Sequence, residues 1–168
     1  MGAIEQVAHW LAPWQSIYNG STVLSGSVTA AHILAMLLGG GLAIAADRST
    51  LRLTGSNTAA HGHQLTELEA VHRPVLIALV VVFVTGLLLT AADFKTFMKA
   101  PIFWVKMGLV VLLMVNGAVL TRTENTLRRV MPEEADGLLW ARLRINSWIS
   151  MALWAVILVV SVFLTDSA

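Results

Sequence analysis

The chain contains no cysteine. That absence removes disulfides, thiolate metal sites, covalently attached c-type haem and cysteine nucleophiles in one step. Charge is also scarce: Asp, Glu, Lys and Arg make up 12% of the residues, against 57% hydrophobic. A soluble domain of 168 residues needs a far larger polar surface than that. The formal net charge of +1 offers no basic excess that would call for nucleic acid. No glycine-rich phosphate loop, nucleophile triad or pair of carboxylates inside the apolar stretches is found. Hydrolytic and nucleotide-driven chemistry therefore have no support. Residues 1–20 lack the basic start and continuous apolar core of a signal peptide. The first apolar stretch is expected to direct insertion and to stay uncleaved.

What the chain does have is four long apolar stretches, over residues 23–46, 74–92, 102–120 and 145–164. A helix rises about 1.5 Å per residue, so roughly 20 apolar residues cross a hydrocarbon core of about 30 Å. With no water in lipid to satisfy the backbone, helices are the expected spanning form. The prediction is an all-α fold, an integral membrane antiparallel bundle of four transmembrane helices. Residues 1–168 form a single membrane domain, with no room for a separate soluble one.

Orientation follows from the arginines. Four spans put both termini on one side. The opposite side carries Arg48, Arg52, Arg73, Arg122, Arg128, Arg129, Arg142 and Arg144, whereas the terminal side has only Lys95, Lys99 and the embedded Lys106. Short basic loops stay in the cytoplasm. Residues 47–71 and 122–144 are therefore expected to be cytoplasmic, and both termini to face the periplasm or its equivalent.

Two flanking segments read as further helices. Residues 4–18 place Ile4, Val7, Ala8, Leu11, Trp14 and Ile17 near one face. That pattern suits an amphipathic helix in the headgroup region, anchored by Trp10, Trp14 and Tyr18 and kinked at Pro13. Residues 133–144 follow Pro132, begin with Glu133, Glu134 and Asp136, and are expected to run as a helix into the last span. Residues 54–64, rich in Gly, Ser, Asn, Thr and His, read as a flexible loop, and residues 93–100 as a short one.

Chemistry-bearing residues are few. His32 lies well inside the first span, on one face with Met36 and Gly39. Ionisable groups at that depth face the bundle or a cavity. A neutral imidazole there is a ligand for haem iron, copper or zinc, or a hydrogen-bonded strut between helices. His72 opens the second span at the other end. From His32 to the end of its helix is about 14 residues, roughly 20 Å of rise, so the two histidines are not expected to clamp one haem. His61-Gly62-His63 reads as a metal-binding tract or a solvated loop, with His72 near it. Soft partners for His32 are Met36, Met107, Met114 and Met151, and His9 is another if the N-terminal helix tilts inward.

Lys106, one turn into the third span, can snorkel to the surface, with Asp93 as its expected partner. Asn116 is deep enough to hydrogen-bond across helices, with Thr85 offered as partner, and Asp47-Arg48 close the first span. Ala31, Ala35, Gly39 and Ala43 recur every fourth residue, and Gly39–Gly41 run together. Such a stripe serves close helix packing or makes room for a flat haem, and Gly86 and Gly117 allow similar approach in the next two spans.

Val-Thr-Gly-Leu-Leu-Leu at 84–89, Pro-Ile-Phe-Trp-Val-Lys-Met at 101–107 and Asn116 carry a resemblance. The chain resembles the copper-resistance D-type membrane domain. It is still more similar to a family of small uncharacterised bacterial four-helix inner-membrane proteins related to that domain. There, an amphipathic N-terminal helix precedes a span with an early His, a central Gly and a terminal Asp, which here fall on His32, Gly39–Gly41 and Asp47. The Asp-Leu-Arg ending of that span is partly present, and the glycine and arginine of the last span are absent at 160–164.

The resemblance implies copper handling or b-type haem redox chemistry in a bacterial inner membrane. Three readings follow: a haem- or metal-binding bundle in membrane electron transfer, a copper-handling membrane protein, or a non-catalytic accessory subunit with no cofactor. Expected partners are the lipid bilayer and either other membrane subunits or a second copy of the chain, not nucleic acid.

Overall fold

The computed structural model describes residues 3–52, 58–129 and 137–167, and all of the ordered elements in it are helical. The elements are α1 (Ala3–Gly20), α2 (Thr22–Arg52), α3 (Thr58–Ala92), α4 (Phe94–Lys99), α5 (Pro101–Arg129) and α6 (Gly137–Ser167). Of these, α2, α3, α5 and α6 are long and apolar enough to cross a membrane, by length and composition. Most of each apolar window remains uncovered by protein. Leu34, Leu37, Ile77, Val80, Phe83, Val111, Val115 and Val159 all point outward.

The apolar stretches sit where the sequence places them, but the helices overrun them. The first helix continues to Arg52, six residues past the predicted end at 46, and the third long helix continues to Arg129. The predicted loop at 54–64 is corrected over its second half, because α3 begins at Thr58 and Gln64 is buried in it. Residues 53–57 lie outside the described residues, as do Pro132, Glu133, Glu134 and Asp136. From Gly137 the expected helix does run unbroken into the last apolar stretch. The 93–100 connection folds as the six-residue α4, and Pro74 is accommodated inside α3.

Helix α2 packs on α3 and α6, and α6 packs on α5. Residue 39 of α2 meets residue 78 of α3, residue 32 meets 85, and residue 50 meets 64. Rising numbers on one helix thus meet falling numbers on the other. Small side chains set the spacing. A Cβ at Gly39 would lie 2.9 Å from the Ala78 Cβ, and one at Gly40 would lie 3.0 Å from the Trp154 ring. Both glycines therefore let a neighbour approach at backbone distance. Gly41 and Gly117 face open space, so the close approach expected at Gly117 does not occur.

Two apolar clusters fill the interior. One joins Met36, Leu113, Trp154 and Ile157, with Leu79 and Val82 of α3 against it. The other, towards the arginine-rich end, joins Leu68, Leu127 and Leu143. Along α5 and α6 the buried polar residues lie between these clusters: Asn116, Thr123 and Glu124 on one helix, Ser147 and Ser150 on the other.

Helix α1 lies against α2, α3 and α4. The aromatic anchoring expected of it is corrected in part. The Trp14 indole N–H donates to the Leu88 carbonyl at 3.0 Å, and Gln15 Nε2 donates to the Ala91 carbonyl at 3.2 Å. Tyr18 stacks obliquely on Trp14 and reaches the Ser25 carbonyl. These side chains tie α1 to the bundle rather than anchoring it outward. Trp10, 84% exposed, and Ile17 remain on the outer face.

Candidate functional site

His32 lies two turns before Gly39 on α2, and Thr85 two turns after Ala78 on α3. The close approach at Gly39 therefore brings the two side chains together. His32 Nδ1 and Thr85 Oγ1 are 2.8 Å apart. The threonine hydroxyl also reaches the Val81 carbonyl at 2.6 Å and the Val82 carbonyl at 3.2 Å, and the Val82 backbone is a further hydrogen-bond partner of the His32 ring. A carbonyl can only accept, so the hydroxyl proton goes to Val81 and Thr85 Oγ1 accepts from His32 Nδ1–H. This assigns the neutral tautomer from the hydrogen-bond network and leaves the lone pair on Nε2. Gly86 makes room for the ring, since a Cβ there would sit 3.3 Å from His32 Cε1.

Lys106 of α5 is the charged residue that bears on His32. It is half-buried, while Asp93 is exposed, and among the described residues no ion pair joins the two. The expected Asp93–Lys106 pair is thus not formed. The expected Asn116–Thr85 pair is not formed either: Asn116 Nδ2 donates to the Asn146 carbonyl of α6 at 3.0 Å, and Thr85 serves His32.

The remaining candidates are dispersed. Met36, one turn after His32, is buried against Leu113, Trp154 and Ile157. Met107 is half-buried, next in the chain to Lys106. His72 lies 13 residues before Thr85 on α3, about 20 Å along the axis, so it stands well away from His32. His63 pairs with Glu67 one turn on, at 3.2 Å and in solvent, and the His61 side chain lies outside the described residues. Among the described residues, no three of His, Asp and Glu converge as a metal-holding group.

A second polar constellation was not legible in the spacing. Asp47, Thr50, Gln64, Glu124, Ser147 and Ser150 are all buried towards the arginine-rich end. Thr50 Oγ1 donates to the Ala46 carbonyl and accepts from Gln64 Nε2 at 2.9 Å, and Gln64 Oε1 accepts from Ser49 at 2.7 Å. The Ser147 and Ser150 hydroxyls face Asp47. By strict hydrogen-bond geometry, however, Asp47 Oδ2 and Ser147 Oγ have no partner among the described residues. Two carboxylates, Asp47 and Glu124, thus share a buried layer that the apolar stretches, ending at 46 and 120, left out. The available signal was Ser147 and Ser150, three residues apart near the start of the apolar stretch 145–164.

Comparison of the chain with protein-family models, with curated proteins and with solved structures finds no match.

Proposed function

We propose that the chain is a multi-pass protein of a bacterial inner membrane, an antiparallel four-helix bundle holding a redox-active metal at His32. The opposed numbering of contacts between α2 and α3, and the apolar outer faces of all four long helices, support that arrangement. An interfacial α1 is supported by its two-sided character, with Trp14 and Gln15 inward and Trp10 and Ile17 outward.

The observation that carries the metal reading is the hydrogen bond from His32 Nδ1–H to Thr85 Oγ1. Metal-ligating histidines typically donate their other ring N–H, which fixes the tautomer and turns the free nitrogen outward. Of the two cofactors expected, a single soft ion such as copper fits better than a b-type haem. The small-residue face that would have made room for a macrocycle is filled by Ala78 and Trp154. Among the described residues His72 stands well away from His32 and His63 lies in solvent beside Glu67, so neither completes a haem axis. The soft donors this reading calls for are the thioethers of Met36, one turn along α2 in the apolar cluster, and of Met107 on α5. The resemblance carried by residues 84–89, 101–107 and Asn116 supports the same reading, as electron transfer or copper handling.

The test is metal analysis and an absorption spectrum of the full-length protein purified in detergent after growth with copper and haem precursor. Near-stoichiometric copper, lost in His32→Ala and reduced in Met36→Leu, is the expected result. A Soret band abolished by His32→Ala would replace copper with haem. Colourless, metal-free protein would leave the accessory-subunit reading in its place.

A further inference from the structure

We propose that Asp47, Ser147 and Ser150 form a second site, for a small hard monovalent cation of the Na⁺ class, held between α2 and α6. Asp47 is 4% exposed and Ser147 1% exposed. Buried polar groups are almost always hydrogen-bonded, and each exception needs a cause. The rest of this layer is satisfied: Thr50, Gln64 and Ser49 form a closed chain, and Asn116 bonds to the Asn146 carbonyl. By strict hydrogen-bond geometry Asp47 Oδ2 and Ser147 Oγ are left without a partner among the described residues, although the Ser150 and Ser147 hydroxyls lie within reach of the Asp47 carboxyl. A ligand gathered by the carboxyl and the hydroxyls would satisfy both atoms.

Charge points the same way. A buried carboxylate is costly without a compensating cation. The Arg128 guanidinium is bonded to the Glu69 carboxylate at 2.9 Å and to the Leu65 carbonyl. Arg48, Arg142 and Arg144 are exposed, and among the described residues no Lys, Arg or His forms an ion pair with Asp47 or Glu124. Glu124 lies near enough to feel the Asp47 charge, and the Arg128 charge bears on Glu124 as well.

The ligand set selects the ion. Carboxylate and hydroxyl oxygens are hard donors, suited to alkali and alkaline-earth ions rather than copper or zinc. One carboxylate with two hydroxyls balances a single positive charge. The three-carboxylate or histidine-rich group that would hold a divalent ion is absent among the described residues. The site lies 15 residues from His32 on the same helix, about 22 Å along the axis, so it stands independently of the copper reading.

Thermal unfolding of the full-length protein in detergent tests the proposal, in NaCl, KCl or choline chloride at equal ionic strength. A ligand that binds only the folded state raises Tm saturably with its concentration. The expected result is a saturable rise in NaCl that choline chloride does not reproduce, that is smaller in KCl, and that Asp47→Asn abolishes. Ser147→Ala should move half-saturation at least tenfold higher, and it decides the matter should Asp47→Asn fail to fold. His32→Ala should keep the Na⁺ response whatever becomes of its copper, so the two sites fail separately. Equal Tm in NaCl and choline chloride, or a Na⁺ response that survives Ser147→Ala unchanged, overturns the site. Stabilisation by acid with no cation dependence also overturns it, because a proton then fills the gap.

Discussion

Thr85 Oγ1 accepts a hydrogen bond from His32 Nδ1–H at 2.8 Å while donating its own hydroxyl to the Val81 carbonyl at 2.6 Å. The threonine is therefore a relay of orientation. The α3 backbone fixes the hydroxyl, and the hydroxyl fixes the imidazole of α2.

Thr85→Val keeps the shape and removes the acceptor. The neutral ring then loses its preference for Nδ1–H, which nitrogen chemical shifts of ¹⁵N-histidine-labelled protein report directly. Loss of such an orienting partner typically costs 10–100-fold in metal affinity. The cost to the fold is expected to be small, about 0.6 kcal/mol for an interhelical hydrogen bond in a membrane. A valine variant that bound copper as tightly as the parent would mean that Thr85 does not prepare His32 for a metal.

The glycine run gives a prediction with two signs. Gly39→Ala forces a Cβ to 2.9 Å from Ala78, where no flexible side-chain end can yield. Overpacking of this kind costs about 1–3 kcal/mol. Gly41→Ala, two residues away, meets nothing within 4 Å and gains helix propensity of up to about 1 kcal/mol. Unfolding in mixed detergent should therefore show Gly39→Ala less stable than the parent and Gly41→Ala at least as stable. Equal effects would mean that α2 and α3 do not meet at Gly39.

The four apolar helices were readable because hydropathy reports the surface that lipid or core will cover, and these helices are apolar nearly all round. Hydropathy does not report where backbone hydrogen bonding stops. Helix α2 continues to Arg52 because Asp47 and Thr50 are buried against α6 and α3, a contact that looks like a solvated loop in one dimension. The choice of partner for Thr85 failed for a related reason. Asn116 and His32 are both plausible from spacing, and only the register set by Gly39 against Ala78 decides between them. Residue type alone makes Trp14 a membrane anchor, yet its N–H donates to the Leu88 carbonyl inside the bundle. His32 itself was legible because an ionisable side chain amid apolar residues needs a partner wherever the helix sits.

Lys106 opposes any cation at His32, since its charge bears on the ring and no carboxylate neutralises it among the described residues. Lys106→Met removes that charge while keeping a long apolar stem. Copper affinity, measured by competition with a chromogenic chelator, should tighten by on the order of tenfold, equivalent to about 1.4 kcal/mol. High salt should leave the difference largely intact, because a half-buried pair is screened less than one in solvent. Weaker copper binding in the methionine variant would instead make the lysine part of the ligand site.

The absence of cysteine makes orientation directly measurable. A single cysteine placed at Lys95, between the second and third apolar helices, or at Arg52, at the end of the first, has no competing thiol anywhere in the chain. If the arginine bias sets the orientation as proposed, residue 52 faces the cytoplasm and residue 95 the opposite side. In intact spheroplasts a membrane-impermeant maleimide should label Lys95→Cys and leave Arg52→Cys unmodified until the membrane is permeabilised. Both positions are exposed in the folded protein, so protection at residue 52 would come from the bilayer rather than from packing. The reverse pattern would invert the bundle, placing His32 in the cytoplasmic half and the Asp47 layer in the outer one.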